Sequence, residues 1–211
     1  MSDWKSAKYW RMRPVEERVR NLRIPPRYRL CTLQSFEAAE GSPEDALLSA
    51  VSKWANNIDK RMEDGIGLYI HGKTGVGKTH LAAAALREVV SKHNLSGLFL
   101  PYDLFVEMVH DSRNNDGELP DMYGDPNLLK YIRRVFDVLV IDNMNADRLT
   151  DYMAKTISNV IDSRYEMQLP TIITTEIRPD KLATLYSPRV QSIIRESCFD
   201  IYVASDDHRM K

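Results

Sequence analysis

Cysteine is scarce in this chain. Two occur among 211 residues, Cys31 and Cys198, and such a pair makes neither a disulfide framework nor a zinc knuckle. Long apolar runs are missing too, since none approaches the roughly 20 residues of a membrane-spanning helix. The first residues, Met1-Ser2-Asp3-Trp4-Lys5, lack the apolar core of a secretory signal. There are no internal repeats and no low-complexity tracts. These absences exclude disulfide-stapled, membrane-spanning and repeat classes, and the expectation is a soluble cytoplasmic protein without membrane partners. What is present, 43% hydrophobic and 28% charged residues, suffices for one α/β domain with a substantial core.

Charge is nearly balanced overall, at −1, but unevenly spread. Residues 1–30 carry nine Lys or Arg against Asp3, Glu16 and Glu17, leaving this stretch at +6 and the remainder at −7. Trp4, Tyr9, Trp10 and Tyr28 lie among those cations. A basic arm with aromatics suits single-stranded nucleic acid, where charge follows the backbone and rings stack on bases. It suits an acidic partner protein equally, and a solvated amphipathic helix carries the same pattern.

The most informative stretch is Gly72-Lys73-Thr74-Gly75-Val76-Gly77-Lys78-Thr79, which reads G-x-x-x-x-G-K-T. It follows the apolar run Gly67–Ile70, a predicted buried strand, and opens onto Leu81–Leu86, a run of strong helix formers. Strand, glycine loop and helix in that order define a P-loop. Its backbone N–H groups can curl around a polyphosphate without side chains in the way, and the helix N-terminus adds partial positive charge. Lys78 is expected to reach the β/γ-phosphates of ATP, and the Thr79 hydroxyl to ligate Mg²⁺.

Along the chain, Pro14 starts a short predicted helix around Val15–Leu22. Ile24-Pro25-Pro26-Arg27-Tyr28-Arg29 cannot be regular helix and reads as an extended linker. Ser42, Pro43 and the following acids cap a helix running to about Asn57, with Leu47, Leu48, Val51 and Trp54 on one face. Leu98–Leu100 is a second strand, and a helix from Asp103 to about His110 follows it. A polar loop over 112–126 and a helix over 127–135 lead into Val138–Ile141. That run is apolar and β-branched without alternation, which marks a central parallel strand covered on both faces. A long helix over 150–167, a strand Thr171–Thr174, a helix begun by Pro179, a helix over 189–196 and a strand Phe199–Val203 complete the pattern. The predicted fold is a five-stranded parallel sheet with helices on both faces.

Asp142 stands at the carboxyl end of the central strand, where sheets of this kind bind ligands. An apolar strand ending in Asp after a P-loop is the Walker B pattern, whose carboxylate holds Mg²⁺ directly or through water.

With these residues in place, the chain resembles the AAA+ ATPases of the DnaC/DnaI/IstB group, bacterial and phage helicase loaders and transposition helpers. The resemblance covers about residues 24–209. It rests on Ile24–Phe36, the P-loop, Val138–Asp142, Leu149-Thr150, Ile161–Tyr165, Pro170–Thr175 and the Arg189–Glu196 region. It implies a P-loop core of the ASCE/AAA+ kind, with a linker that packs on the adenine and a sensor 1 at the tip of the strand ending in Thr175. It also implies an arginine finger from Arg189–Glu196 that reaches a neighbouring subunit. The chain ends just after the fifth strand, so no separate helical lid is expected. The short arm suits a phage-encoded member.

Three positions depart from the group. Asn143 follows Asp142 where the group has an acid that polarises water. Glu176 stands where sensor 1 has an amide. The aligned finger position falls on Ile193, with Arg195 nearby and Arg189 the alternative. The tips bearing Asn143 and Glu176 are expected to be neighbours, holding the group's two functional groups exchanged. The alternative is that Glu176 turns outward and ATP is barely hydrolysed.

The expected organisation is an arm over 1–23, a linker over 24–40 and an ATPase core over 41–211. The function this implies is an ATP- and Mg²⁺-dependent helicase loader or replication accessory. Its partners would be single-stranded DNA, a hexameric replicative helicase and further copies of the chain. Alternatives are a nucleotide-gated DNA-binding adaptor with little hydrolysis and a transposition helper.

Overall fold

The computed structural model describes residues 7–114, 132–147 and 149–204. Two short helices, α1 (Ala7–Arg11) and α2 (Val15–Arg20), and a 3-10 turn at Pro26–Tyr28 come first in the described chain. Helix α3 (Pro43–Asn56) starts where its caps require. Ser42 accepts from the Asp45 N–H, and Pro43 occupies the first turn. A further helix, α4 (Ile58–Asp64), follows at once and ends on Gly65 in the left-handed conformation, φ 68°.

Then come β1 (Gly67–Gly72), α5 (Lys78–Lys92), β2 (Gly97–Pro101) and α6 (Tyr102–Asn114). After them come β3 (Val138–Met144), α7 (Asp151–Glu166), β4 (Thr171–Thr175), α8 (Leu182–Leu185), α9 (Pro188–Ser197) and β5 (Cys198–Val203). The helix expected from Pro179 is a 3-10 turn at Pro179–Lys181 running into four-residue α8. Most of the polar loop and of the helix expected over 112–135 lies outside the described residues.

The strands form one sheet in the order β2-β3-β4-β1-β5, every neighbouring pair parallel. Alternation along each strand splits the core in two. Leu68 and Ile70 of β1 join Val51, Trp54, Leu81 and Val89 on one face. Tyr69 joins Phe105, Ile157, Val160 and Ile194 on the other. Because both faces are covered, β1 and β4 are buried along their whole length, and β3 opens on the unbroken apolar run Val138–Ile141. No helix among the described residues is long and apolar enough to cross a membrane.

The segment expected as an arm is partly built into the domain. Leu22 is fully buried, and its carbonyl accepts from the Phe99 N–H of β2 at 2.7 Å. Arg18 is buried, and its guanidinium donates to the carbonyls of His93 and Leu95 at the C-terminal end of α5. Arg11 forms a two-pronged ion pair with the buried carboxylate of Asp137, which also accepts from Ser96. Trp10 lies against Phe136. Met1–Ser6, which include Trp4 and Lys5, lie outside the described residues.

The base of the sheet is tied by Arg164 of α7, which has no exposed surface. Its Nε donates to Thr171, and its two terminal nitrogens donate to the carbonyls of Ile132, Phe136, Asp137 and Pro170. All five guanidinium donors are therefore satisfied, the condition for burying such a cation.

Candidate nucleotide-binding site

The topology decides which strand tips meet. Because β4 lies between β1 and β3, the end of the P-loop strand, the Thr174–Glu176 tip and the Asp142–Asn143 tip are side by side at the carboxyl edge. The loop that follows β1 turns on glycine. At Gly72 (φ 151°) a Cβ would stand 2.5 Å from the Val203 carbonyl oxygen. At Gly77 (φ 91°) it would stand 2.5 Å from the Phe36 ring. Both positions therefore exclude side chains, and the second shows the linker packed directly on the P-loop.

Lys78 opens α5 and is buried. Its ammonium donates to the carbonyls of Gly72 at 2.7 Å and Lys73 at 2.6 Å, which draws the side chain back over the loop. Asp142 is buried behind the loop. Burial pushes its carboxyl above the usual range, opposed by hydrogen bonds from Thr174 and Thr79 and by the charge of Lys78. Thr79 and Asp142, the two expected metal ligands, are thus in contact. Thr174 organises this corner, because its hydroxyl donates to Asp142 Oδ1 at 2.6 Å and accepts from the Asn143 N–H at 2.8 Å.

Asn143 has φ 60°, a left-handed conformation that asparagine tolerates, at a register shift in the β3–β4 ladder. Its side chain is exposed. Glu176 is also exposed, and its Oε1 accepts a hydrogen bond from the Thr74 hydroxyl within the P-loop. A cavity of about 270 Å³ is bounded by Thr74, Gly75, Gly77, Lys78 and Thr79, by Asn143, Thr174 and Glu176, and by Arg27, Tyr28 and Cys31 of the linker. Asn143 and Glu176 therefore face one space. His80 anchors the linker wall through Thr32 O at 3.2 Å, and its ring meets Phe36 edge-on.

Arg195 is not part of this wall. It is exposed in the last turn of α9 and borders a separate cleft of about 530 Å³ beside His71, Arg178 and Tyr202. Arg189 is engaged within its own domain, 2.8 Å from Asp162 and over the Tyr165 ring. Of the two arginines, only Arg195 makes no ion pair among the described residues.

Sequence reasoning did not single out Arg27, Tyr28, Cys31 or Thr174 as site residues. For Thr174 a signal existed, a threonine pair closing a fully buried strand, where a hydroxyl needs a polar partner. For Arg27 the Pro-Pro kink gave the path of the linker but not its side-chain direction.

A parallel sheet in this order, with a P-loop after β1 and an acid at the tip of β3, defines a P-loop NTPase of the AAA+ kind. The model of the IstB-like ATP-binding proteins matches residues 11–186, and the chain belongs to that family. The replicative helicase loader DnaI of Bacillus subtilis is 32% identical over 120 residues, covering 56% of this chain and 35% of DnaI. The replicative helicase loader DnaC of Escherichia coli K12 is 26% identical over 174 residues, covering 82% of this chain and 66% of DnaC. The chain thus spans about a third of one loader and just under two thirds of the other. The crystal structure of the DnaC helicase loader superposes with a TM-score of 0.73 at 26% identity, over 85% of this chain and all of that one. DnaA of Aquifex aeolicus bound to AMPPCP shares the fold, with a TM-score of 0.63 at 20% identity over 90% of this chain and 54% of that one.

Proposed function

We propose that this protein binds MgATP and acts in DNA replication as a helicase loader or accessory on single-stranded DNA. The observation that carries the reading is the convergence of Lys78, Thr79, Asp142 and Thr174 at the P-loop, in a chain related to two replicative helicase loaders.

The residues fit the nucleotide and its metal. The loop's glycines leave its backbone accessible, and Lys78 carries the charge for the β/γ-phosphates. Thr79 and Asp142 are the hydroxyl–carboxylate pair that would hold Mg²⁺, and its charge would relieve the burial cost of Asp142. When bound, Mg²⁺ neutralises charge on the β- and γ-phosphate oxygens. Arg27 and Tyr28 bring the linker over 24–40 to the same cavity, so a bound nucleotide would touch linker and core together. Arg195 is exposed and outside the lining of its own chain's P-loop cavity, a place that suits a neighbouring subunit's phosphates.

The test is co-sedimentation with a hexameric replicative helicase, with ATP, with ADP and without nucleotide. Retention is expected to depend on the nucleotide and to be lost in Lys78→Ala. Equal recovery under all conditions, or none under any, removes the loader reading. An adaptor that binds ATP with little turnover is the second reading, favoured by Asn143, whose amide cannot accept a proton.

A further inference from the structure

We propose that Glu176 is the catalytic carboxylate that orients the attacking water for ATP hydrolysis, and that Thr74 is its positioning residue. This rests on the nucleotide-binding reading above and adds turnover to it.

Hydrolysis of the γ-phosphoryl group asks little covalent chemistry of the protein. It needs a water held in line and a group that accepts that water's proton. The cavity offers few such groups. Asp142 stands behind the wall, occupied by Thr174 and Thr79. His80 faces the linker carbonyl of Thr32 and the Phe36 ring. Burial pushes the Cys31 thiol up, which keeps it protonated. Asn143 can donate or accept a hydrogen bond but cannot take a proton. Glu176 remains, the one carboxylate on the cavity wall among the described residues.

Its placement is fixed from both sides. The Thr175 hydroxyl donates to the Met144 carbonyl at 2.5 Å and accepts from the Ile177 N–H at 2.9 Å, so the backbone flanking Glu176 is pinned to the tip of β3. The Thr74 hydroxyl then holds Oε1. One carboxylate oxygen is thereby tethered to the loop that would cradle the phosphates, and Oε2 is left for a water. Such support is what separates a positioned group from one that is merely nearby. Exposure of Glu176 lets solvent weaken its repulsion from phosphate, a repulsion a buried carboxylate would feel in full. Asn143, with its N–H fixed on Thr174, is the amide on the same wall that can donate to a γ-phosphate oxygen.

In the step itself, the water oxygen bonds to the γ-phosphorus as the bond to the β,γ-bridging oxygen breaks. That oxygen leaves with the electron pair on ADP. The proton lost by water is accepted at Glu176 and passed to solvent, which yields ADP, inorganic phosphate and one proton.

The experiment uses the full chain and measures MgATP affinity, single-turnover phosphate release, and trapping of ADP with aluminium fluoride. Glu176→Gln is expected to keep ATP affinity within about twofold and to lower kcat by on the order of 100-fold at unchanged KM. It should also lose the aluminium fluoride complex. Thr74→Ala is expected to lower kcat less, and Thr74→Ser, which restores the hydroxyl, to recover it. Asn143→Glu/Glu176→Asn, which exchanges the groups between adjacent strand tips, should regain turnover over Glu176→Gln. Parental turnover in Glu176→Gln overturns the inference, as does a parent that binds ATP but releases no phosphate. In both cases nucleotide binding stands. A parent that binds no ATP overturns the binding reading itself.

Discussion

At the residue scale, Asp142 carries the main conflict of the site. The strand that places it also buries it, and burial raises its pKa against the pull of Thr174, Thr79 and Lys78. A folded-state value above the unfolded one means the fold favours the neutral carboxyl. The resulting stability is present at pH below the ordinary carboxylate range and is lost as pH rises through the raised value. At neutral pH without a cation, Asp142 therefore works against the fold. Asp142→Asn is expected to raise the thermal midpoint at pH 7–8 without nucleotide, with an advantage that shrinks as the pH falls towards 4. The same variant should lose the Mg²⁺ dependence of ATP affinity. Thermal melts across this pH range check it, and a variant less stable than the parent at pH 8 contradicts it.

Lys78, Thr79 and Asp142 were legible in the sequence because their chemistry is tied to a fixed local pattern of strand, loop and helix. Thr174 and Arg27 were not, because their roles come from which strand lies beside which and from where a linker folds back. No local pattern encodes either.

At the element scale, all five strands were read from the sequence, β1 and β3 from their apolar runs. The cap at Ser42 announced α3 to within a residue or two, while α5 followed from the P-loop and its helix formers. The short elements α1 and α4 were missed, since helices of five and seven residues carry too few positions to show a period. The N-terminal segment is the instructive case. Its cations and rings read equally as a nucleic-acid arm, a partner-binding arm or a solvated helix, yet Arg11, Arg18, Trp10 and Leu22 are taken up in packing. Residues 15–36 follow α5 from just past its C-terminus, where Arg18 donates to the carbonyls of His93 and Leu95, to its N-terminus, where Phe36 meets Gly77.

Arg18→Ala is accordingly expected to cost about 1–3 kcal/mol by leaving two carbonyls without their charged donor. Removal of residues 1–23 should cost more, since Leu22 leaves the core. Urea unfolding measures both. Parental stability of the truncated chain would return the segment to the status of an arm.

At the scale of the whole molecule, helices cover both faces of one parallel sheet, and the candidate site lies at its carboxyl edge. The basic excess of residues 1–30 is partly spent inside the fold, and Lys8, Arg20 and Arg27 remain exposed. Family membership and the DnaC-like fold agree with the order of elements read from the sequence, and the strand order brings the tips of β3 and β4 beside the P-loop. The claim on which everything else depends is that the P-loop cavity binds ATP through Lys78. Titration calorimetry of MgATP into the parent chain and into Lys78→Ala tests it directly. The expected result is saturable binding by the parent, weakened at least about tenfold in the variant, or ~1.4 kcal/mol, while cooperative unfolding is retained. Equal affinity in both chains, or no binding by the parent, would contradict the claim.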